Sequence, residues 1–302
     1  MTLEAGALRG AIAGCVLLAS CGASAGPASS ASQAASPVVP QPAAAQTAIG
    51  GIKYTGTLAQ GGWLRGVAPP GTRSVTLDGA ALALAPDGGF FAAFDRDAPR
   101  AVTIAVTAAD GMSLSMPLAI TPRQWRIESV NVARRPGKLP DAAFKLRRAG
   151  ELAQIGAARA KDSAAGGWRQ AMVWPAAGRI SGLFGAQRIY RGEPGAYHAG
   201  IDLAAPAGAE IRAPADGVVT LAAAQVPFTL EGYLLIVDHG MGLNSAFLHC
   251  SHLVVHEGES VVQGQLLGHV GMTGRASGPH LHWALTWNKR RLDPQLFAPG
   301  GR

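Results

Sequence analysis

Apolar and polar residues alternate in short runs along most of this chain, and the runs are separated by glycine-rich breaks. Between residues 50 and about 133 the runs are "KYTGTLA", "WLRGV", "SVTLDGAALAL", "GFFAAF", "AVTIAVTAADGMSLSMPLAI" and "WRIESVNV". Asp78-Gly79 and Asp110-Gly111 stand between such runs and predict tight hairpin turns. Some seven short strands in about 85 residues predict a small immunoglobulin-like β-sandwich over residues 50–135. The pattern then changes. "PDAAFKLRRAGELAQIGAARAKDSAAG", from Pro140 to Gly166, lacks alternation and is rich in Ala, Leu, Arg and Lys, which predicts a connecting helix within 138–168. Phe144, Leu152 and Ile155 lie near one face of it, Asp141 can cap it, and Gly166-Gly167 stops it.

From about Met172 the alternation returns in "IRAPADGVVTLA", "GYLLIVDHG", "SAFLHCS", "ESVVQGQLLGHV" and "HLHWALTW", with no helical period of ten residues or more. Residues 172–302 therefore read as a second all-β unit. At the other end, Gly10–Ser20 is an apolar run shorter than the roughly 20 residues that span a bilayer, which suits an export signal. It ends in "LLASCG", which resembles a bacterial lipobox and implies cleavage before Cys21 and acylation of that cysteine, with an ordinary signal-peptidase site at "ASA" before Gly26 as the alternative. Residues 22–49, almost wholly Ala, Ser, Pro, Gln and Gly, read as a flexible tether. Of the three cysteines, Cys15 leaves with the signal and Cys21 is consumed by acylation, so Cys250 has no disulfide partner.

Composition narrows the picture further. With 302 residues, 48% of them apolar and 15% charged, the chain can bury cores for about two domains. The net charge of +7 suggests a polyanionic partner, yet no lysine-rich block or aromatic-interleaved basic run points to nucleic acid. A carboxylate-bearing polymer or an anionic membrane surface suits the charge.

The candidate chemistry lies in the second β unit, where all eight histidines fall. On a strand, side chains two apart share a face, so His280 and His282 of "GPHLHW" point one way while Leu281 and Trp283 point the other. His198 and Asp202 of "YHAGIDLAAP", four apart, also share a face if extended. Three nitrogen or oxygen ligands with one open position is the pattern of a catalytic zinc site. The 50–135 unit has no such cluster and reads as unnecessary for the chemistry.

"HAGIDLAAPAGAEIRAPADGVV", "FLHCSHL" and "GMTGRASGPHLHW" resemble, in this order and spacing, the three signature segments of the lysostaphin-type (LytM-like) zinc endopeptidases of peptidoglycan. The resemblance covers roughly residues 172 to 297 and implies the LytM-like β-sheet fold. It implies that His198, Asp202 and His282 hold Zn²⁺, and that His249 and His280 are the catalytic pair. It also implies peptidoglycan peptide stems as substrate, the D-alanyl to diaminopimelyl bond as target, and a Gram-negative periplasm as location. A lipid anchor at Cys21 implies membrane attachment, and Gly22 favours the outer membrane. An unidentified protein regulator is a further expected partner. Cys250 departs from the family pattern, which has an apolar residue there, and reads as a small buried residue. His239 reads as structural, and His252, His256 and His269 as surface positions. Tyr190, in the loop before the first motif, is a weaker candidate for transition-state binding.

Two other classes compete with hydrolysis. Some relatives lack metal ligands and act only as activators of cell-wall amidases, but here every ligand position is filled. "APADGVV" and "GESVVQGQLLG" are similar to the hairpins of biotinyl and lipoyl carriers, but no lysine stands between them at a hairpin tip.

Overall fold

The computed structural model describes residues 43–49, 51–132 and 142–298. The expected signal segment with Cys21, the tether up to residue 42 and the Asp141 cap lie outside the described residues.

Two four-stranded antiparallel sheets form the amino-terminal module. One runs in the order Ala43–Ile49, Ile52–Thr57, Trp63–Val67, Gly89–Ala93, and the other Ala80–Ala81, Thr72–Leu77, Ala101–Ala108, Ser113–Ala119. The first strand thus begins within the stretch expected as tether, because its backbone pairs with Ile52–Thr57. Both predicted turns are present. Asp78 and Gly79 take φ values of 48° and 77°, the left-handed pair that suits a two-residue hairpin, and Met112 N–H donates to Asp110 Oδ1.

The last predicted strand of the sandwich, Ile127–Val130, belongs elsewhere. It pairs in parallel with Gln187–Tyr190, which also pairs with Glu193–Pro194, in a separate three-stranded sheet. The physical reason is visible in its exposure: Ile127, Glu128 and Ser129 bury no apolar face, so no alternation binds this strand to the sandwich core.

The helix α1 (Ala142–Ala160) forms within the expected span. Its inward stripe runs through Phe144, Arg148, Glu151, Ile155 and Ala158, at steps of three and four. Leu152, expected near the apolar face, is 52% exposed, whereas Glu151 is buried. Arg147, Arg148 and Thr229 explain the exchange. The Glu151 carboxylate accepts from Arg147 Nε at 3.1 Å, from an Arg148 guanidinium nitrogen at 3.0 Å, and from both Thr229 N–H and Oγ1 at 2.7 Å.

The carboxy-terminal module is one antiparallel sheet ordered Arg179–Gly182, Ile201–Ala204, Leu281–Trp287, Leu243–Leu253, Tyr233–Asp238, Gly217–Ala222, Ser260–Val261. Glu210–Arg212 and Leu266–Val270 pair together and join it through Leu243–Leu253, and Arg290–Leu292 pairs with Leu281–Trp287. Among the described residues, no helix is long and apolar enough to cross a membrane.

The two modules share one apolar interior. In "GFFAAF" the apolar residues are consecutive rather than alternating, and every residue of Gly89–Ala93 is buried, as in a strand covered on both faces. Phe90 lies over Gly66, where a Cβ would approach its ring to 2.2 Å. Phe91 points the other way, with its ring 6.0 Å from Trp287 and 6.4 Å from Phe297. The Trp63 ring lies 5.6 Å from that of Phe297 in a tilted pair, and its indole N–H donates to the Leu296 carbonyl at 2.8 Å. Beside them Arg123 pairs with the buried Asp293 at 2.8 Å.

Candidate active site

Strand register brings the candidate ligands together. Asp202 stands directly opposite His282 on neighbouring strands, and His282 stands opposite Leu248 on its other side. The flanking residues Ile201, Leu203, Leu281 and Trp283 have no exposed surface, so alternation turns Asp202 and His282 outward to one common face. His198 lies just before the Ile201–Ala204 strand. Its backbone is held by His198 N–H to Ala186 O at 2.8 Å and by Gly185 N–H to His198 O at 2.9 Å. Two glycines leave room for these side chains. A Cβ on Gly182 would sit 2.2 Å from Asp202 Oδ2, and one on Gly200 would sit 2.8 Å from His282 Nε2.

The three ligand atoms form a tight triangle: His198 Nε2 to Asp202 Oδ1 3.1 Å, His198 Nε2 to His282 Nδ1 3.0 Å, and His282 Nδ1 to Asp202 Oδ1 2.9 Å. Ligands about 2.0–2.1 Å from a shared tetrahedral centre stand about 3.3–3.4 Å apart, so an outward shift of a few tenths of an ångström along each edge would admit the ion. His198 Nδ1 lies 3.0 Å from the Leu183 carbonyl, which can only accept. In the neutral ring the proton is therefore on Nδ1 and Nε2 offers a lone pair, whereas in the protonated ring Nε2–H donates to the Asp202 carboxylate. A cation at the centre would be met by all three atoms at once. Burial opposes the charged form of Asp202, but hydrogen bonds from His198 and His282 outweigh it and hold its carboxyl far below the usual carboxylate range. Burial also lowers His198, but the Asp202 bond and charge bring it above the ordinary imidazole value, while burial dominates at His282 and lowers it. Among the described residues, this is the one group of three or more such side chains gathered closely enough to hold a metal ion.

His249 and His280 stand beside the triangle, with their rings 4.8 Å apart. His249 Nδ1 donates to Thr273 O at 2.8 Å and His280 Nδ1 to Gly278 O at 2.8 Å, which leaves a lone pair on each Nε2. His280 Nε2 is 3.8 Å from Asp202 Oδ1, so it faces the cluster. Burial lowers the pKa of His249, with His280 and His282 adding to the effect. The backbone of His249 has φ 64°, an uncommon value for a residue with a Cβ, and the ladder to Tyr233–Asp238 is irregular between Tyr233 and Leu235, opposite this region.

Several supporting residues had no signature in the sequence. His249 N–H donates to the Glu231 carbonyl at 2.8 Å, and the Glu231 carboxylate is gripped by both Arg148 guanidinium nitrogens at 2.6 and 2.7 Å. The helix thus reaches a residue of the site through one ion pair. Arg96 of the sandwich, 6% exposed, donates to the Gly185 carbonyl at 3.2 Å and to Gln187 at 3.0 Å, which braces the segment that holds His198. Tyr197 donates to Asp95 at 3.2 Å, and burial, with the nearby Asp95 charge, pushes its phenol up to about 12.

The remaining candidates lie away from the triangle. His239 is fully buried between Asp216 O at 2.7 Å and Ser245 Oγ at 2.8 Å. His252 and His256 are exposed, and His269, half-buried, stacks with His252. Cys250 is buried, and burial pushes its thiol up to about 12. Tyr190 lines an open groove of about 1700 Å³ that ends at His198 and Asp202.

The fold and site together define a β-sheet domain with a His-Asp-His cluster of metal-binding type. Residues 196–294 match the model of peptidase family M23, and this chain carries a domain of that family. It is 38% identical over 124 residues to the DD-carboxypeptidase/endopeptidase Mpg of Neisseria meningitidis serogroup B, covering 40% of this chain and 27% of that protein. It is 36% identical over 116 residues to the peptidoglycan DD-endopeptidase ShyA of Vibrio cholerae serotype O1, covering 38% and 26%. The match thus spans about a quarter of the length of these curated relatives. A solved structure described as an M23 peptidase from Pseudomonas aeruginosa superposes with a TM-score of 0.60 at 27% identity, covering 81% of this chain and 96% of that one. That likeness extends well beyond residues 196–294, which 81% coverage requires.

Proposed function

We propose that this protein is a zinc-dependent endopeptidase that hydrolyses peptide cross-links of peptidoglycan, at the bond between D-alanine and diaminopimelate. The carrying observation is the triangle of His198 Nε2, Asp202 Oδ1 and His282 Nδ1 at 2.9–3.1 Å, beside two imidazoles whose Nδ1 protons are already committed. Zn²⁺ held by these three would supply Lewis acidity and bring the pKa of water from 15.7 to about 7. Nε2 of His249, kept neutral by burial, accepts a proton from the attacking water and returns it to the leaving amine. Nε2 of His280 faces the cluster, where a proton on it would donate to the developing oxyanion. The names of the Neisseria and Vibrio relatives support the substrate class. The filled ligand triangle supports hydrolysis over non-hydrolytic activation of amidases.

The same reading places the protein in the periplasm of a Gram-negative bacterium, anchored to the outer membrane through acylated Cys21. Digestion of purified sacculi, with products identified by mass spectrometry, tests the reaction. Release of monomeric muropeptides with a free D-alanyl terminus is expected. Intact cross-links in the presence of zinc-loaded protein would sink the reading.

A further inference from the structure

The groove leading to His198 and Asp202 has a wall that the family match does not include. Arg126, Glu128 and Val132 come from the segment around the Ile127–Val130 strand, and Arg188, Tyr190 and Arg191 from the strand it pairs with and the turn beyond. Arg275 lines the same groove. Four arginines and two acids therefore face this space. Both acids are already engaged: Glu128 accepts from Arg188 Nε at 2.9 Å, and Asp202 lies in the ligand triangle. Among the described residues, no carboxylate pairs with Arg126, Arg191 or Arg275, and all three are exposed.

We infer that this wall is a subsite for the carboxylates of an anionic peptide, with Arg126, Arg191 and Arg275 determining specificity. The inference rests on the endopeptidase reading above. A guanidinium presents two parallel N–H donors that match a carboxylate, and such charge-assisted bonds are stronger than neutral ones. A peptide with free carboxylates flanking the scissile bond meets three unpartnered guanidiniums here; one with those groups amidated offers nothing for them to hold. The arrangement also depends on the parallel pairing of Ile127–Val130 with Gln187–Tyr190, so the segment after the sandwich builds part of the substrate groove.

Steady-state kinetics on a purified cross-linked disaccharide-peptide dimer, in free-carboxylate and amidated forms, tests the inference. Wild type should show a KM about tenfold or more lower for the free-carboxylate dimer, with kcat within about twofold. The double variant Arg126→Gln, Arg191→Gln should raise KM on the free dimer by a similar factor and leave KM on the amidated dimer unchanged. Zinc content and kcat should stay at wild-type values, because neither residue touches the ligand triangle. Raising the salt from about 0.05 to 0.5 M should shrink the wild-type preference as exposed charges are screened. Equal KM for the two dimers, or an equal rise on both in the double variant, would overturn the subsite while leaving the endopeptidase reading intact. Failure of zinc-loaded wild type to cut either dimer would overturn both.

Discussion

At the residue scale the proposed function assigns the cation to one group of side chains and the proton transfers to another. Asp202→Ala, His198→Ala and His282→Ala each remove one corner of the triangle, so all three should lose zinc and activity together. His249→Ala and His280→Ala leave the triangle whole and should keep about one zinc per chain, while turnover falls roughly 10²- to 10⁴-fold for a lost proton-transfer group. Zinc stoichiometry beside rate for the five variants checks this division; retention of metal by His282→Ala together with its loss from His249→Ala would reverse the assignment. Gly182 gives a sharper test. The Cβ of Gly182→Ala would lie 2.2 Å from Asp202 Oδ2, so the carboxylate must move and zinc affinity should drop at least tenfold in a folded protein. Wild-type zinc affinity in that variant would show that Asp202 does not depend on this space. Strand periodicity in the sequence pointed to His198, Asp202, His280 and His282, and motif order, through the resemblance, added His249, which the structure places beside them. The glycines under them were not legible, since their role appears only when Gly182 meets Asp202 across a strand pair.

At the element scale the helix is more than a connection between modules. Its buried Glu151 gathers Arg147, Arg148 and Thr229, and Arg148 passes the contact to Glu231, whose carbonyl holds the backbone of His249. Burial raises the pKa of Glu151, but the hydrogen bonds from Thr229 and the two arginines prevail and bring it below the ordinary 4.5. A carboxyl depressed in the folded state contributes stability that is present above its unfolded value and is lost as pH falls through the folded value. Glu151→Gln should therefore be less stable than wild type at pH 7, by on the order of 1–3 kcal/mol, and the gap should narrow as pH falls below the ordinary 4.5 and through the lower folded value. Chemical denaturation of both proteins across pH 3–7 measures it, and a gap that persists unchanged at the acid end would contradict the ionised role of Glu151. Element types were readable from period alone, whereas partners were not. Alternation marked Ile127–Val130 as a strand but could not show that it pairs with Gln187–Tyr190, about 60 residues away. Helical spacing placed Leu152 inward, yet the polar partner of a neighbouring loop turned Glu151 there instead, because buried hydrogen bonds to Thr229 compensate its desolvation.

At the scale of the whole molecule, the sandwich and the catalytic sheet are parts of one structure rather than two beads. The sequence pattern suggested that residues 50–135 are unnecessary for the chemistry, since they carry no cluster of ligand-type residues. The two modules nonetheless pack together: Trp63 and Phe91 reach across to Phe297 and Trp287, Arg123 pairs with the buried Asp293, and Arg96 braces Gly185, whose N–H holds the His198 carbonyl. A fully buried aromatic side chain contributes about 1.5–3 kcal/mol, and Trp or Phe to Ala in a core costs about 3–5 kcal/mol. Because these contacts are shared, Trp63→Ala should weaken both modules at once. Calorimetry of the protein without its first 42 residues should show a single unfolding transition that shifts as a whole in Trp63→Ala, with near- and far-ultraviolet probes coinciding. Arg96→Ala separates the brace from the core. It removes two hydrogen bonds to the His198 segment and leaves every ligand in place, so it should weaken zinc binding severalfold with a smaller loss of thermal stability than Trp63→Ala. Two resolved transitions, with only the first moved by Trp63→Ala, would mean that the modules fold independently, and a fragment beginning near Arg169 should then keep its zinc and its activity on a short soluble muropeptide.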